Sequence, residues 1–424
     1  MILLGILLLS LILFGAPLFA VIAAGAMIGF YSAEIPLTVM ATELYRLAEM
    51  PVLVAIPLFT FAGYLLGEGG APRRLVRLTD AMIGWLPAGL AIVSLFVCAL
   101  FTAFTGASGV TIVAIGALLY PALRQAGYRD NFNLGLITTS GSLGLLFAPS
   151  IPLILYGVVA QQMEVGRAVS ISSMFIAGIL PGLLMLVLLV GWSVWENRHR
   201  QAQVAPFDGR ELLAALRESI WELPLPVVVL GGIYGGFFAV SEAAAVTALY
   251  VLLVEMLVRK EIGWQRMPQV MRESMMLVGG ILVILGMSMA STNYLIDAEV
   301  PSRIFDFIRE HVDSKLTFLM LLNIFLLGLG AILDIFSALV LVVPLILPVA
   351  IGFGIDPVHL GIIFLANMQI GYFTPPVGMN LFIASYRFEK SVAQLYRATL
   401  PFFFILLLAV LVITYWPDLS LVLL

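Results

Sequence analysis

Long apolar stretches, one after another, constrain this chain more than any other feature of its sequence. Hydrophobic residues make up 62% of the 424 residues and charged residues only 11%, whereas an ordinary soluble domain is about 25% charged. A membrane-spanning helix needs about 20 mainly apolar residues, so the chain has room for roughly ten to twelve spans and some shorter re-entrant pieces. The sequence therefore predicts an all-α polytopic membrane protein embedded in the lipid bilayer.

The same composition excludes several classes of function. The net charge is −4 and no basic stripe is present, so nucleic acid is not expected as a partner. The sequence contains no glycine-rich phosphate loop with its lysine, so an ion gradient or a partner must supply energy. Cys98 is the single cysteine and lies in an apolar run, where we interpret it as a packing residue. We expect no cofactor other than coupling ions.

Polar segments divide the chain into parts. The apolar stretches lie near residues 1–30, 51–67, 81–103, 132–165, 171–196, 224–258, 274–296, 316–350, 358–386 and 399–417. The first has no charged start and no cleavage site, so we interpret it as a span and not as a signal peptide. Residues 196–222 are the most polar and predict a linker with an amphipathic helix. Basic residues cluster in this linker, at 259–272 and at 73–77. By the positive-inside rule, these segments are expected on the cytoplasmic side of the membrane.

An internal repeat emerges when the chain is shifted along itself by 227 residues. Pro121 then falls on Pro348, Gly127 on Gly354 and Pro149 on Pro376. Each half has a glycine-rich turn, a helix ending in proline, a loop, a span and a polar break in the same order. Repeats with interrupted helices at matching positions indicate a secondary transporter that binds its substrate near the middle of the membrane. We therefore expect two inverted halves with re-entrant hairpin tips near 104–110 and 330–337.

Four segments break the apolar pattern with glycine, proline, serine and threonine. They form two pairs, 105–109 with 138–152 and 328–334 with 371–380. Broken helices survive in a membrane only where they are buried in protein or line a watery cavity. Freed carbonyl groups and side-chain oxygens suit a small cation, and the ends of half-helices can face a carboxylate. Each pair therefore predicts a hairpin tip beside an unwound helix, with ligand-binding chemistry at the junction.

Two carboxylates lie within apolar surroundings. Asp334 lies inside the apolar run 316–351, where a carboxylate at mid-membrane costs about 2.5–3.5 kcal/mol. We interpret Asp334 as a cation or proton site, with a structural hydrogen-bonding role as the alternative. Glu242 is a weaker candidate of the same kind. It follows Ser241 at the start of a predicted helix, and these two residues can instead simply cap that helix.

Other kinds of membrane protein fit less well. Gly106 to Gly109 have the GxSG form of an intramembrane serine protease, but that chemistry needs a histidine base near Ser108. The three histidines, His199, His311 and His359, lie in loops or near the ends of predicted helices. The sequence has no paired histidines that could bind zinc. It also has no repeated filter or charged ring of the kind that a passive channel uses.

At the same blocks the sequence resembles the large membrane subunit of tripartite ATP-independent periplasmic (TRAP) transporters. The matching motifs are GASGVTIVAIG, TTSGSLGLLFAPSIPLILYG, GGIYGGFFAVSEAAAV, GAILD with GIDPVHLGI, and GYFTPPVGMNLFIAS. The resemblance implies a sodium-driven elevator-type transporter in the bacterial inner membrane, in which a transport part that carries both hairpins moves against a scaffold. It also implies three kinds of partner: a small four-helix membrane subunit, a periplasmic substrate-binding protein and an organic-acid substrate.

The resemblance also implies site residues. Sodium ligands are expected at Ser108, Gly109, Ser140, Gly141, Asp334, Thr374 and Gly378. Substrate contacts are expected at Thr105, Ser142, Pro149, Ser150, Pro376 and Asn380. The first hairpin departs from the family pattern because it has fewer serines than many relatives. The chain begins at the first span of a large subunit, so we expect the small subunit to be a separate polypeptide.

A division into scaffold and transport parts follows from the repeat and the resemblance. We expect scaffold spans at 1–80, a first transport repeat at 81–170, central spans and linker at 171–315, a second transport repeat at 316–390 and a last span at 391–424. The main alternative is a sodium- or proton-coupled anion transporter that works without a binding protein.

Overall fold

The computed structural model describes residues 10–11, 16–163, 166–198, 207–312 and 314–424, and their regular secondary structure is all helical. The first helices are α1 Leu18–Ser32, α2 Thr38–Ala48, α3 Ala55–Glu68, α4 Ala71–Ile83, α5 Gly89–Thr105, α6 Ser108–Gln125, α7 Asp130–Ser140, α8 Ile151–Gln162, α9 Ile171–Ala177 and α10 Ile179–Asn197. The later helices are α11 Gly209–Glu218, α12 Pro224–Tyr234, α13 Val240–Leu253, α14 Met267–Asp297, α15 Val300–His311, α16 Lys315–Gly330, α17 Ile335–Gly352, α18 Pro357–Gly371, α19 Met379–Phe388, α20 Val392–Tyr415 and α21 Asp418–Leu421. The all-α prediction is confirmed.

Six helical stretches among the described residues are long and apolar enough to cross a membrane, and two bent helix pairs raise this number to eight. This is below the roughly ten to twelve spans expected from apolar length alone. Glycine and proline breaks divide several apolar runs, so that α1, α5, α12 and α18 are apolar but only 10–17 residues long. The first predicted span, 1–30, is only partly within the described residues.

The two halves of the chain share one order of helices and breaks. Helix α6 begins at Ser108 and α17 at Ile335, and both their starts and their ends match at a spacing of 227 residues. Just beyond these helices, Gly127 and Gly354 have φ angles of 81° and 73°. A left-handed glycine after the last turn is a common helix C-terminus, because glycine adopts that conformation without a steric penalty. The predicted repeat is confirmed in the backbone.

The two broken helices, α7–α8 and α18–α19, run antiparallel. Lys390, just after α19, donates a hydrogen bond of 3.1 Å to Asp130 at the start of α7. At the other end, the Tyr156 hydroxyl of α8 donates to the Pro357 carbonyl oxygen at the start of α18, at 2.5 Å. The start of each broken helix thus meets the end of the other, so the two repeats are inverted relative to one another.

The broken helices also form much of the buried core. Every residue of α18 is buried, as are residues 151–160 of α8. A β-carbon added at Gly371 would lie 2.5 Å from the Cα of Gly330 in α16, and one at Gly144 would overlap the amide nitrogen of Ala103 in α5. Gly144 and Gly371 are equivalent in the repeat. Each hairpin therefore rests its first arm directly on the backbone of its own broken helix.

Amphipathic helices connect these units. Helix α11 lies in the predicted linker and begins after Asp208, whose carboxylate accepts the Arg210 amide at 2.8 Å. Arg77 of α4 pairs with Glu211 at 2.7 Å and also with Glu218, both in α11. The predicted amphipathic linker helix is confirmed, and it is attached to α4, the helix that precedes the first hairpin. Residues 199–206 of the linker, including His199 and Arg200, lie outside the described residues.

Candidate functional site

The first hairpin turns between α5 and α6 at Gly106 and Ala107. Gly106 has a φ of 63°, which lets α5 end abruptly. Ala107 occupies the N-cap position of α6, and no side chain of the described residues caps the first amide groups of this helix. The buried Thr105 hydroxyl donates to the Ala107 carbonyl oxygen at 3.4 Å and accepts the Ala107 amide at 3.5 Å, so it does not reach the amides of α6. The start of α6 therefore presents amide groups and a partial positive charge.

The second hairpin turns between α16 and α17 and is capped by its own carboxylate. One oxygen of the half-buried Asp334 accepts the Phe336 and Ser337 amides, both at 3.0 Å. The other oxygen accepts the Ser337 hydroxyl at 2.5 Å. The Tyr372 hydroxyl accepts the remaining first-turn amide, from Ile335, at 2.9 Å. The start of α17 is thus satisfied by the protein itself.

The first broken helix lies against the first hairpin tip. The Gly141 carbonyl oxygen accepts the Thr102 hydroxyl of α5 at 2.8 Å. A β-carbon at Gly141 would lie 3.4 Å from the Ser108 carbonyl oxygen. The structure therefore brings together two of the residues that the sequence suggested as sodium ligands. Ser140 bonds within its own helix, to the Ile137 carbonyl at 3.3 Å.

The two broken helices cross at Ser142 and Gln369. The Ser142 hydroxyl lies 3.2 Å from the carbonyl oxygens of both Thr139 and Gln369. Gln369 is fully buried, and neither atom of its side-chain amide has a hydrogen-bond partner among the described residues. Sequence reasoning missed Gln369, although the repeat places it on Ser142.

The second broken helix contacts both its own hairpin and the first half of the chain. The Val377 and Gly378 amides both donate to the Ala331 carbonyl of the second hairpin, at 3.1 Å. Asn380 donates its side-chain amide to the Thr138 carbonyl of α7 at 3.1 Å. Asn380 therefore links the two halves at the level of the breaks.

Two of the suggested sodium ligands are glycines with a steric reason to be glycine. Gly378 has a φ of 58°, and a β-carbon there would lie 2.8 Å from the Thr374 carbonyl oxygen. A β-carbon at Gly109 would lie 2.7 Å from Ile383 of α19. Gly378 therefore packs against the backbone of its own break, and Gly109 packs against a side chain of α19.

The suggested proline and threonine positions differ between the two halves. Pro149 is buried, whereas the equivalent Pro376 is exposed and its carbonyl oxygen accepts the Tyr396 hydroxyl at 2.8 Å. The half-buried Thr374 donates to the Ile370 carbonyl at 2.8 Å. The second break thus lies nearer the surface than the first.

Several buried polar atoms at these breaks have no hydrogen-bond partner among the described residues. Within the described ranges, those at the breaks and hairpin starts are Ser108 Oγ, Thr138 Oγ1, Thr139 Oγ1, Ser150 Oγ, Gln369 Oε1 and Nε2, and Asn380 Oδ1. A buried polar group without a hydrogen bond is costly, so its presence calls for a ligand or an ordered water. Nearly all of these atoms are oxygens, the ligand type that a hard cation such as sodium prefers.

Comparison with known proteins identifies the family. The family model described as "Tripartite ATP-independent periplasmic transporter, DctM component" matches residues 4–419. The chain belongs to this DctM family. It is therefore the large permease component of a secondary transport system and an inner-membrane protein.

Relatives of this DctM-family chain have several named substrates. It is 35% identical to the C4-dicarboxylate TRAP transporter large permease protein DctM of Pseudomonas aeruginosa, over 91% of this chain and 88% of that protein. It is 32% identical to the ectoine/5-hydroxyectoine large permease protein UehC of Ruegeria pomeroyi, over 97% and 95%. It is also 35% identical to the isethionate TRAP transporter permease protein DctMQ of Oleidesulfovibrio alaskensis, and spans 61% of that protein's length.

Solved structures share the fold of the DctM-family chain at low sequence identity. The Alcanivorax borkumensis YdaH transporter superposes with a TM-score of 0.64 at 15% identity, over 90% of this chain and 88% of that one. Neisseria gonorrhoeae MtrF superposes with a TM-score of 0.50 at 14% identity, over 90% and 83%. At this level of identity the likeness establishes the fold alone.

Membership of a permease family also decides against the protease reading, since the chain is not an enzyme. The geometry agrees for the described histidines. His359 bonds to Ser420 and to the Thr414 carbonyl, and His311 to the Phe307 carbonyl. His199 lies outside the described residues.

Proposed function

We propose that this DctM-family chain is the large membrane subunit of a sodium-coupled importer of organic acids. A periplasmic binding protein delivers the substrate, a small four-helix membrane subunit completes the membrane complex, and the paired hairpins carry substrate and sodium across by an elevator movement. The relatives named above for C4-dicarboxylates, ectoines and isethionate support an anionic substrate group, because these compounds all carry a carboxylate or a sulfonate.

The uncapped start of α6 carries most of this proposal. Its amide groups have no side-chain cap, while the buried Ser108 and Ser150 hydroxyls nearby have no hydrogen-bond partner among the described residues. A β-carbon at Gly106 would lie 2.5 Å from Ile151, so the starts of α6 and α8 approach one another. A carboxylate is stabilised by two converging helix N-termini. We therefore assign the anionic group of the substrate to this junction.

Sodium coupling is proposed for two places. At the first hairpin, Gly141 lies beside the Ser108 carbonyl oxygen, and the buried Ser108 hydroxyl has no hydrogen-bond partner among the described residues. At the second, Asp334 supplies the negative charge, since among the described residues its Oδ2 accepts only the Ser337 hydroxyl and can also approach a cation. Cation binding would then order each tip and favour substrate binding at the junction between them.

The elevator movement needs the hairpins and broken helices to travel together. The glycine contacts of each hairpin with its own broken helix and the antiparallel packing of the two broken helices support a single moving part. The amphipathic helices α4 and α15, which precede the two hairpins, would connect this part to the scaffold. The expected scaffold and transport ranges stay a prediction.

Uptake into proteoliposomes tests the proposal. The chain is reconstituted with the small membrane subunit and binding protein encoded by neighbouring reading frames, and radiolabelled C4-dicarboxylate, ectoine and isethionate are offered under an inward sodium or potassium gradient. We expect uptake of an anionic compound that needs the sodium gradient and all three proteins.

Each alternative has its own result. Uptake by this chain alone would favour an anion transporter that works without a binding protein. Uptake driven equally well by sodium and potassium would remove sodium coupling from the mechanism. A proton gradient that replaces sodium would identify a different coupling ion.

A further inference from the structure

A buried cluster of charged residues lies away from the helix breaks, where α4 meets the turn between α11 and α12. Its centre is Arg74 of α4, which is only 5% exposed. Arg74 Nε donates to Glu222 at 2.6 Å, and its other guanidinium nitrogens pair with Glu261. The Gly70 amide also donates to Glu261, at 2.5 Å. The cluster fastens α4 to the chain on both sides of α12 and α13.

Glu255 is the deepest member of this cluster. It lies in the π-helical turn Val254–Val258 that follows α13, and it has no exposed surface. Its closest cation is Arg74, at 3.6 Å, beyond hydrogen-bond distance. Neither carboxyl oxygen has a hydrogen-bond partner among the described residues. A β-carbon at Gly69 would overlap one of these oxygens, so the carboxyl group points at the turn between α3 and α4.

The charges in the cluster do not balance. Three carboxylates, those of Glu222, Glu255 and Glu261, face two guanidinium groups, those of Arg74 and Arg259. Arg259 lies 3.8 Å from Glu222 and also donates to the Glu218 carbonyl oxygen. A buried carboxylate without a matching cation or hydrogen bond is strongly destabilising. One bound proton would neutralise the cluster.

The geometry indicates which carboxyl group carries that proton. Glu255 and Glu261 lie beside the same nitrogen of Arg74, Nη2, at 3.6 and 3.2 Å, and two neighbouring carboxyl groups can form a hydrogen bond only when one of them is protonated. Burial raises the pKa of Glu261, but the hydrogen bonds from Arg74 and Gly70 outweigh burial and hold this pKa below its usual range. Glu261 is therefore the acceptor.

We propose that Glu255 is a proton-binding site, whose carboxylic acid donates a hydrogen bond to the Glu261 carboxylate and completes the attachment of α4. Proton release leaves an excess negative charge beside Arg74 and weakens the contacts of α4 with the α11–α12 turn. The site is independent of the substrate and sodium sites proposed above.

Stability measured against pH tests this site. A folded-state proton that the unfolded chain does not bind makes the free energy of unfolding fall as pH rises. Between about pH 6 and about pH 9, we expect the melting temperature of the purified wild-type chain to fall by several degrees relative to Glu255→Gln. Glutamine cannot ionise and keeps a donor for Glu261. Glu68→Gln is the matched control, because Glu68 is exposed and pairs with Arg266 at 3.1 Å, and it should follow the wild type.

Infrared spectroscopy provides a readout that does not depend on folding stability. We expect the absorption of a protonated carboxyl group that disappears in Glu255→Gln. The same absorption should disappear in Glu261→Gln, because the remaining two carboxylates and two guanidinium groups balance without a proton. Parallel pH profiles for wild type and Glu255→Gln, or a carboxyl absorption that both variants retain, would overturn the proposal.

Discussion

The two hairpin tips share a backbone and differ in chemistry. The repeat places Ala107 on Asp334, each at the N-cap of the helix that leaves its tip. At the second tip the Asp334 carboxylate accepts two amides and a hydroxyl. At the first tip the alanine side chain can accept none, and the start of α6 has no side-chain cap among the described residues.

This difference supports the separate roles proposed for the two hairpins. A helix start that carries its own anion has no need of a second one and can share its carboxylate with a cation. A helix start without a cap favours an external anion. The comparison therefore favours the substrate carboxylate at the first hairpin and a charge-dependent sodium site at the second.

The substitution expected to have the largest effect is Ala107→Asp, which gives the first tip a carboxylate like that of the second. The new side chain would occupy the α6 amides and repel an anionic substrate. Like charges placed together cost several kcal/mol, so uptake in proteoliposomes should fall by more than about 100-fold.

Ala107→Asn is the matched control, because asparagine also caps a helix but carries no charge. It should reduce uptake far less than aspartate does. Equal losses in the two variants would show that charge at this tip is unimportant and would contradict the assignment.

A second test concerns the contact that holds each hairpin on its broken helix. Gly371→Ala places a β-carbon 2.5 Å from the Gly330 Cα, so the backbones must separate. Overpacking of this kind costs about 1–3 kcal/mol, and we expect a lower melting temperature in the purified protein. Gly328→Ala, where nothing lies within 4 Å of the added carbon, should leave stability unchanged or slightly raised. A similar loss in both variants would contradict the close contact.

The smallest expected effect comes from removing the cap of the second tip. Asp334→Ala makes this tip resemble the first and should cost about 0.5–2 kcal/mol, the usual value of an N-cap side chain. Asp334→Asn keeps a capping oxygen and should lose less. Amide hydrogen exchange at Phe336 and Ser337 provides the local readout. Unchanged exchange in Asp334→Ala would show that the cap does not stabilise α17.

The positions of the hairpins and breaks could be predicted because few residue types interrupt an apolar helix. Glycine, proline, serine and threonine at matching spacings indicated the turns at Gly106 and Ala331, and the structure confirms both. Local chemistry was equally informative for two other residues. Glu242 accepts the Ala239 amide at 2.8 Å and caps α13. Cys98 is fully buried, as expected of a packing residue.

The partners of individual side chains could not be predicted. Asp334 caps α17 because this helix begins at the next residue, Ile335. The sequence of an apolar run gives little indication of where a helix inside it begins. Gln369 lies in an ordinary apolar helix sequence, and only the crossing of two distant segments makes it part of the site. Among the described residues, six to eight helices are long enough to cross a membrane and four further apolar helices are shorter, so apolar length alone does not fix the number of spans.

Thermal stability of the purified chain in sodium chloride against equal potassium chloride tests the central claim most directly, because an ion that binds only the folded state stabilises it. We predict a higher melting temperature in sodium, and a smaller difference in Asp334→Asn, which keeps a cap but loses the charge. Glu68 is an exposed carboxylate distant in sequence from both tips. The Glu68→Gln variant should therefore keep the full difference in melting temperature between the two salts. Equal melting temperatures of the wild type in the two salts would contradict sodium binding at the hairpins.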